Sequence, residues 1–107
     1  SQVVEVRDGA VAGEWRVDPA ALGLAATDAD ELAGGSPEEN AAMIEAVLAG
    51  RGTAGARAAL LLNAAAALYV AGASPGYAAA LDRARRALDA GAGLRALDAL
   101  RRVYAEG

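Results

Sequence analysis

A chain of 107 residues has room for one small domain or for a piece of a larger one. Its apolar content of 55% is mostly alanine, with no phenylalanine and one tryptophan, so each side chain buries little area and a self-sufficient core is hard to build. A net charge of −4 argues against nucleic acid or an anionic membrane as partner; without cysteine there is no disulfide or zinc-thiolate site, and without histidine the usual general base is missing.

The chain opens with Gln2-Val3-Val4-Glu5-Val6-Arg7, rich in β-branched residues. Asp8-Gly9 makes a turn, and Glu14-Trp15-Arg16-Val17 alternates polar with apolar, which predicts a hairpin over 2–17 with Trp15 and Val17 facing the core. Two short turns are expected over 19–33, one capped by Asp18 before Pro19 and ended by Gly23, the other capped by Thr27 and broken by Gly34-Gly35. Ser36-Pro37-Glu38-Glu39 reads as a capping box opening a helix over about 37–49, with Met43, Ile44, Val47 and Leu48 inward. Arg51 to Gly55 reads as a flexible loop.

The next helix, expected over 56–71, is apolar on every face except at Arg57 and Asn63. Sixteen residues at ~1.5 Å each fall short of a bilayer, so this is read as a buried central helix with no wet side. Ser74-Pro75 opens a helix over about 76–90, with Tyr77, Leu81, Ala84 and Leu88 on one face, and with Asp82 placed to pair with Arg85 or Arg86 and Arg85 with Asp89. A last helix over about 93–105 turns Leu94, Leu97, Leu100 and Tyr104 inward and sets Asp98 beside Arg101 and Arg102. A two-stranded hairpin is marginal alone, and an all-round apolar helix needs cover; both features point to a missing neighbour.

Candidate chemistry is thin. Asp28-Ala29-Asp30-Glu31 has the acidic density of a magnesium site, but acids opening a helical turn serve its dipole, and no phosphate-cradling glycine loop accompanies them. Glu38 and Glu39 are explained as first-turn residues, and Gly34-Gly35-Ser36 lacks the basic neighbours an anion site needs. Arg83, Arg85, Arg86, Arg101 and Arg102 are interleaved with Asp82, Asp89 and Asp98, as on a solvated helix face. Asn63 reads as a buried amide pinning a neighbouring loop or helix end. No catalytic, cofactor-binding or metal-ligating residue is assigned.

Gly34-Gly35-Ser36-Pro37-Glu38-Glu39-Asn40-Ala41 and Leu61-Leu62-Asn63-Ala64-Ala65-Ala66-Ala67-Leu68-Tyr69-Val70-Ala71-Gly72 resemble blocks near the C-terminus of the anthranilate phosphoribosyltransferase family. Glu5-Val6-Arg7-Asp8-Gly9, Asp18-Pro19, Gly23-Leu24 and Leu88-Asp89-Ala90-Gly91-Ala92 resemble the family in the same order. The resemblance implies an α/β fold of which this chain is the C-terminal part, a hairpin followed by about four helices around the Ala/Leu-rich one. It implies a cytoplasmic, homodimeric enzyme that transfers phosphoribose from phosphoribosyl pyrophosphate to anthranilate in tryptophan biosynthesis. Mg²⁺ and the substrates would be held by an upstream portion, the partner of this segment, which alone is expected to be inactive. No nucleic-acid or membrane partner is expected. A pyrimidine nucleoside phosphorylase-like paralogue and a stand-alone helical interaction module are the alternatives.

Overall fold

The computed structural model describes residues 2–24 and 34–106; the acidic turn with Asp28, Asp30 and Glu31 lies outside them. Strands β1 (Gln2–Arg7) and β2 (Ala10–Arg16) form an antiparallel pair. Asp8 and Gly9 join them with positive φ values of 53° and 80°, the backbone of a tight hairpin turn matched to strand twist. Val3 lies opposite Trp15 and Glu5 opposite Gly13; Val6 then pairs with Val11, which leaves Ala12 as a bulge in β2. Past the hairpin, Asp18 Oδ1 accepts the Ala20 amide at 3.1 Å, and the Leu24 amide reaches back to Pro19 O at 2.9 Å, folding this stretch into a turn that buries Leu24.

Among the described residues four helices follow: α1 (Pro37–Leu48), α2 (Ala54–Val70), α3 (Tyr77–Asp89) and α4 (Ala92–Glu106). With the hairpin they make an α/β arrangement. At the start of α1, Ser36 Oγ accepts the Glu39 amide at 3.1 Å. The return contact comes from Asn40, whose Oδ1 accepts the Gly35 amide at 2.9 Å, and not from the Glu39 carboxylate expected of a capping box. Helix α2 begins earlier than its composition suggests because Thr53 Oγ1 accepts the Ala56 amide at 3.1 Å, so the 51–55 loop ends in a helix cap. Helix α3 begins at Tyr77 after Gly76, without a side-chain cap.

The core lies between α2 and α3. Leu61, Ala65, Ala80 and Leu81 are buried at 2% exposure or less, with Ala58, Ala84 and Leu88 around them. Val47 joins from α1 and Leu24 from the turn after the hairpin.

Three expectations of burial are overturned. Helix α2 has a wet side: Asn63, Ala66 and Ala67 are exposed, and Val70 is 85% exposed. A row of alanines presents one methyl per residue, so only the side carrying Leu61 and Ala65 gains much by packing. Helix α4 keeps Leu94 and Leu97 half-buried, whereas Leu100 is exposed and Tyr104 is 77% exposed. Its first turn packs closely, with Gly93 so near Leu48 Cδ2 that an added Cβ would stand at 2.6 Å, whereas the side chains of its last turns lie exposed. Ile44 on α1, expected inward, is likewise exposed.

Candidate functional site

Two concave surfaces stand out on this frame. The first is a groove of about 300 Å³ between α1 and α2, walled by Met43, Ile44, Val47, Ala56, Ala59 and Leu60, with Asn63 at its rim. Asn63 is exposed, and its Nδ2 donates to Ala59 O on its own helix at 2.8 Å. It therefore does not tie α2 to a neighbouring loop or helix end. Apolar residues around it in sequence suggested burial, but the groove they line is open, and the amide is satisfied within one turn.

The second is the seat of the hairpin. Trp15 stands edge-on to Tyr69 with ring centroids 5.6 Å apart, and against Tyr77 at 5.3 Å, in geometries aromatic pairs favour. The Tyr69 hydroxyl donates to Glu5 Oε1, which also lies 3.6 Å from Arg7 Nη2. The hydrogen bond to Glu5, then burial, holds the Tyr69 phenol above its ordinary pKa of 10.0. Burial raises the Tyr77 phenol, whose hydroxyl donates to Leu62 O at 2.8 Å. Both phenols are neutral near pH 7 and act as docking groups.

The charged residues singled out in the sequence are engaged in structure. Arg86 pairs with Asp82 at 3.2 Å. Arg85 donates to Leu22 O at 2.6 Å, so Asp89 takes Arg57 of α2 at 2.9 Å in place of the expected Arg85. Arg83 donates to Ala73 O at 2.8 Å, and Arg102 Nε to Asp98 O at 3.4 Å. Arg101 grips both carboxylate oxygens of Glu45 at 3.2 Å, which holds that carboxyl below its ordinary value, chiefly through the hydrogen bond and then through the charge. Glu38 and Glu39 lie exposed on the first turn of α1, apart from any base or nucleophile cluster. Among the described residues no group of three or more His, Cys, Asp or Glu converges as a metal site, and no helix is long and apolar enough to cross a membrane.

Sequence reasoning passed over the side chains that fix the elements to one another. Thr53 was findable as a capping residue three positions before Ala56, and Glu5 as the polar residue on the inward parity of β1. Arg57–Asp89 and Arg101–Glu45 join residues far apart in the chain and leave no local signal.

A hairpin seated by aromatic rings on a helical layer is an α/β arrangement. The family described as "Glycosyl transferase family, a/b domain" matches residues 1–94, and the chain belongs to that family. Within it the chain is similar to anthranilate phosphoribosyltransferases. It is 41% identical over 92% of its length to that of Haloarcula marismortui, 47% over 92% to that of Thermomicrobium roseum and 45% over 92% to that of Methylobacterium nodulans. These alignments cover 29%, 26% and 28% of the respective relatives, so the chain spans less than a third of their length. No solved structure gives a significant match.

Proposed function

We infer that this chain is the C-terminal structural portion of an anthranilate phosphoribosyltransferase. Its hairpin and helices hold the reactive loops of an upstream portion in register. The observation that carries the reading is identity of 41–47% over nearly the whole chain to enzymes of that name, of which it covers 26–29%. In the reaction the C1–O bond of phosphoribosyl pyrophosphate breaks, pyrophosphate leaves, and the amino nitrogen of anthranilate bonds to C1 and loses a proton. The described residues present no converging carboxylate set that fits the Mg²⁺ the resemblance implies. On this reading the ion and both substrates are held by the upstream portion, and the complete enzyme is a cytoplasmic homodimer.

The test is a chimera in which this chain replaces the matching stretch of the Thermomicrobium roseum enzyme. With phosphoribosyl pyrophosphate and Mg²⁺ the chimera is expected to consume anthranilate, followed by its fluorescence, while the 107-residue chain alone shows no turnover. A chimera that melts cooperatively yet leaves anthranilate untouched overturns the reading, as does turnover by the pure chain.

A further inference from the structure

Asp8-Gly9 is the one Asp-Gly pair in the sequence, and it forms the hairpin turn between the paired Arg7 and Ala10. Both residues are exposed, and a Cβ added at Gly9 would meet nothing within 4 Å. An aspartyl carboxyl beside glycine can close on the following amide nitrogen, because glycine has no side chain to obstruct the approach. The closed turn forbids this at Asp8. Its φ of 53° lies in the left-handed region, where ψ is about +47° and Cβ stands roughly anti to the next nitrogen across the Cα–C bond. Among the described residues no hydrogen bond or ion pair engages the Asp8 carboxylate, so backbone conformation alone keeps it from the Gly9 nitrogen. That conformation lasts only while the hairpin is paired. A two-stranded hairpin is marginal by itself, and this one is seated through Trp15 on Tyr69 and Tyr77 and through Glu5 on Tyr69.

We infer that Asp8-Gly9 is a modification site gated by the hairpin: an isoaspartyl link forms there when the hairpin opens and is blocked while it is closed. Once Asp8 leaves the left-handed region, the Gly9 nitrogen attacks Cγ of the protonated carboxyl. The N–Cγ bond forms, and the carboxyl hydroxyl leaves as water with the amide hydrogen. Water then adds to the resulting cyclic imide. Addition at the Asp8 main-chain carbonyl breaks its bond to nitrogen and leaves Gly9 joined through Cγ, so the sequence returns the water it released and needs no oxidant or reductant. The new link lengthens the main chain by one methylene. A turn built at φ values of 53° and 80° then no longer closes in the Arg7–Ala10 register. The change is one-way, and it marks chains whose hairpin has come off Tyr69 and Tyr77.

The test incubates the full 107-residue chain in native buffer, its Tyr69→Phe variant, and the chain in urea. Isoaspartate is measured in the tryptic peptide Asp8–Arg16 by chromatography and mass spectrometry, and hairpin opening by hydrogen exchange of the amides bonded between β1 and β2. Isoaspartate is expected to form at least about tenfold faster in urea than in the native chain, with Tyr69→Phe between them and the slowing matched by amide protection. Formation in the native chain at the urea rate overturns the gate, whether the hairpin amides are protected or not. Absence of isoaspartate at residue 8 in urea overturns the site itself. The isoaspartyl chain, purified and returned to native buffer, is expected to stay unprotected across β1 and β2; recovered protection overturns the one-way consequence.

Discussion

Glu5 occupies the inward side of β1, where alternation along the strand calls for an apolar side chain, and it is tolerated there because Tyr69 donates to it and Arg7 stands 3.6 Å away. The contact is long-range in sequence, so it is invisible in a motif scan although the parity of Glu5 could have exposed it. Its pH dependence follows from the raised Tyr69 pKa. The neutral phenol is favoured in the folded state, so the contribution is complete below pH 10 and is lost as pH rises through the higher folded value. Trp15 lies against the same ring and reports on it. Tyr69→Phe is expected to loosen the hairpin at neutral pH and to reduce the alkaline change in Trp15 fluorescence to the part that comes from Tyr77. An unchanged alkaline profile in the variant would mean that Glu5–Tyr69 does not seat the hairpin. Asn63 shows the opposite limit: its neighbours made it look buried, but composition cannot say which side of an alanine-rich helix finds a partner.

Element starts and stops were legible where a local device sets them, as at Asp8-Gly9 and at Ser36 before Pro37. The packing face of α3 was legible as the stripe of Tyr77, Leu81, Ala84 and Leu88, though not that α2 is its partner. Leu81, 2% exposed, carries much of that contact. Leu81→Ala is expected to cost about 2–5 kcal/mol, read as faster native-state exchange of α2 and α3 amides in the chimera, whereas Leu100→Ala at the exposed end of α4 changes those amides little. One contact of α4, the reach of Arg101 to Glu45 across to α1, was not legible, and it adds to the packing of Gly93, Leu94 and Leu97. The Glu45 pKa is depressed in the folded state, so its contribution is present above pH 4.5 and is lost as pH falls through the lower folded value. Exchange in α4 is therefore expected to accelerate on acidification below that range, and Arg101→Gln to show fast exchange at all pH values. Acid acceleration that survives in the variant would assign the effect to another group.

At the scale of the whole molecule, the apolar periodicity predicted more burial than the chain achieves. Ile44, Val70, Leu100, Val103 and Tyr104 are all exposed, together with Val4, Val6 and Val11 of the hairpin. On the proposed reading these positions are patterned for the complete enzyme, and their mismatch with the isolated chain is the mark of the missing portion. The buried set is small by comparison, since five of its ten members are alanines. The radius of gyration, 15.4 Å, exceeds the ~13 Å expected of a compact domain of this length. A core of that kind contributes too little hydrophobic stabilisation to oppose the backbone entropy of four helices and a hairpin. The free chain is therefore expected to melt over a broad range by circular dichroism and to bind a hydrophobic dye such as ANS at neutral pH. The same segment within the chimera should melt cooperatively and bind little dye. A sharp, monomeric, dye-free transition in the free chain would mean that α2 and α3 suffice as a core, and would favour a self-standing helical module over a portion of a larger enzyme.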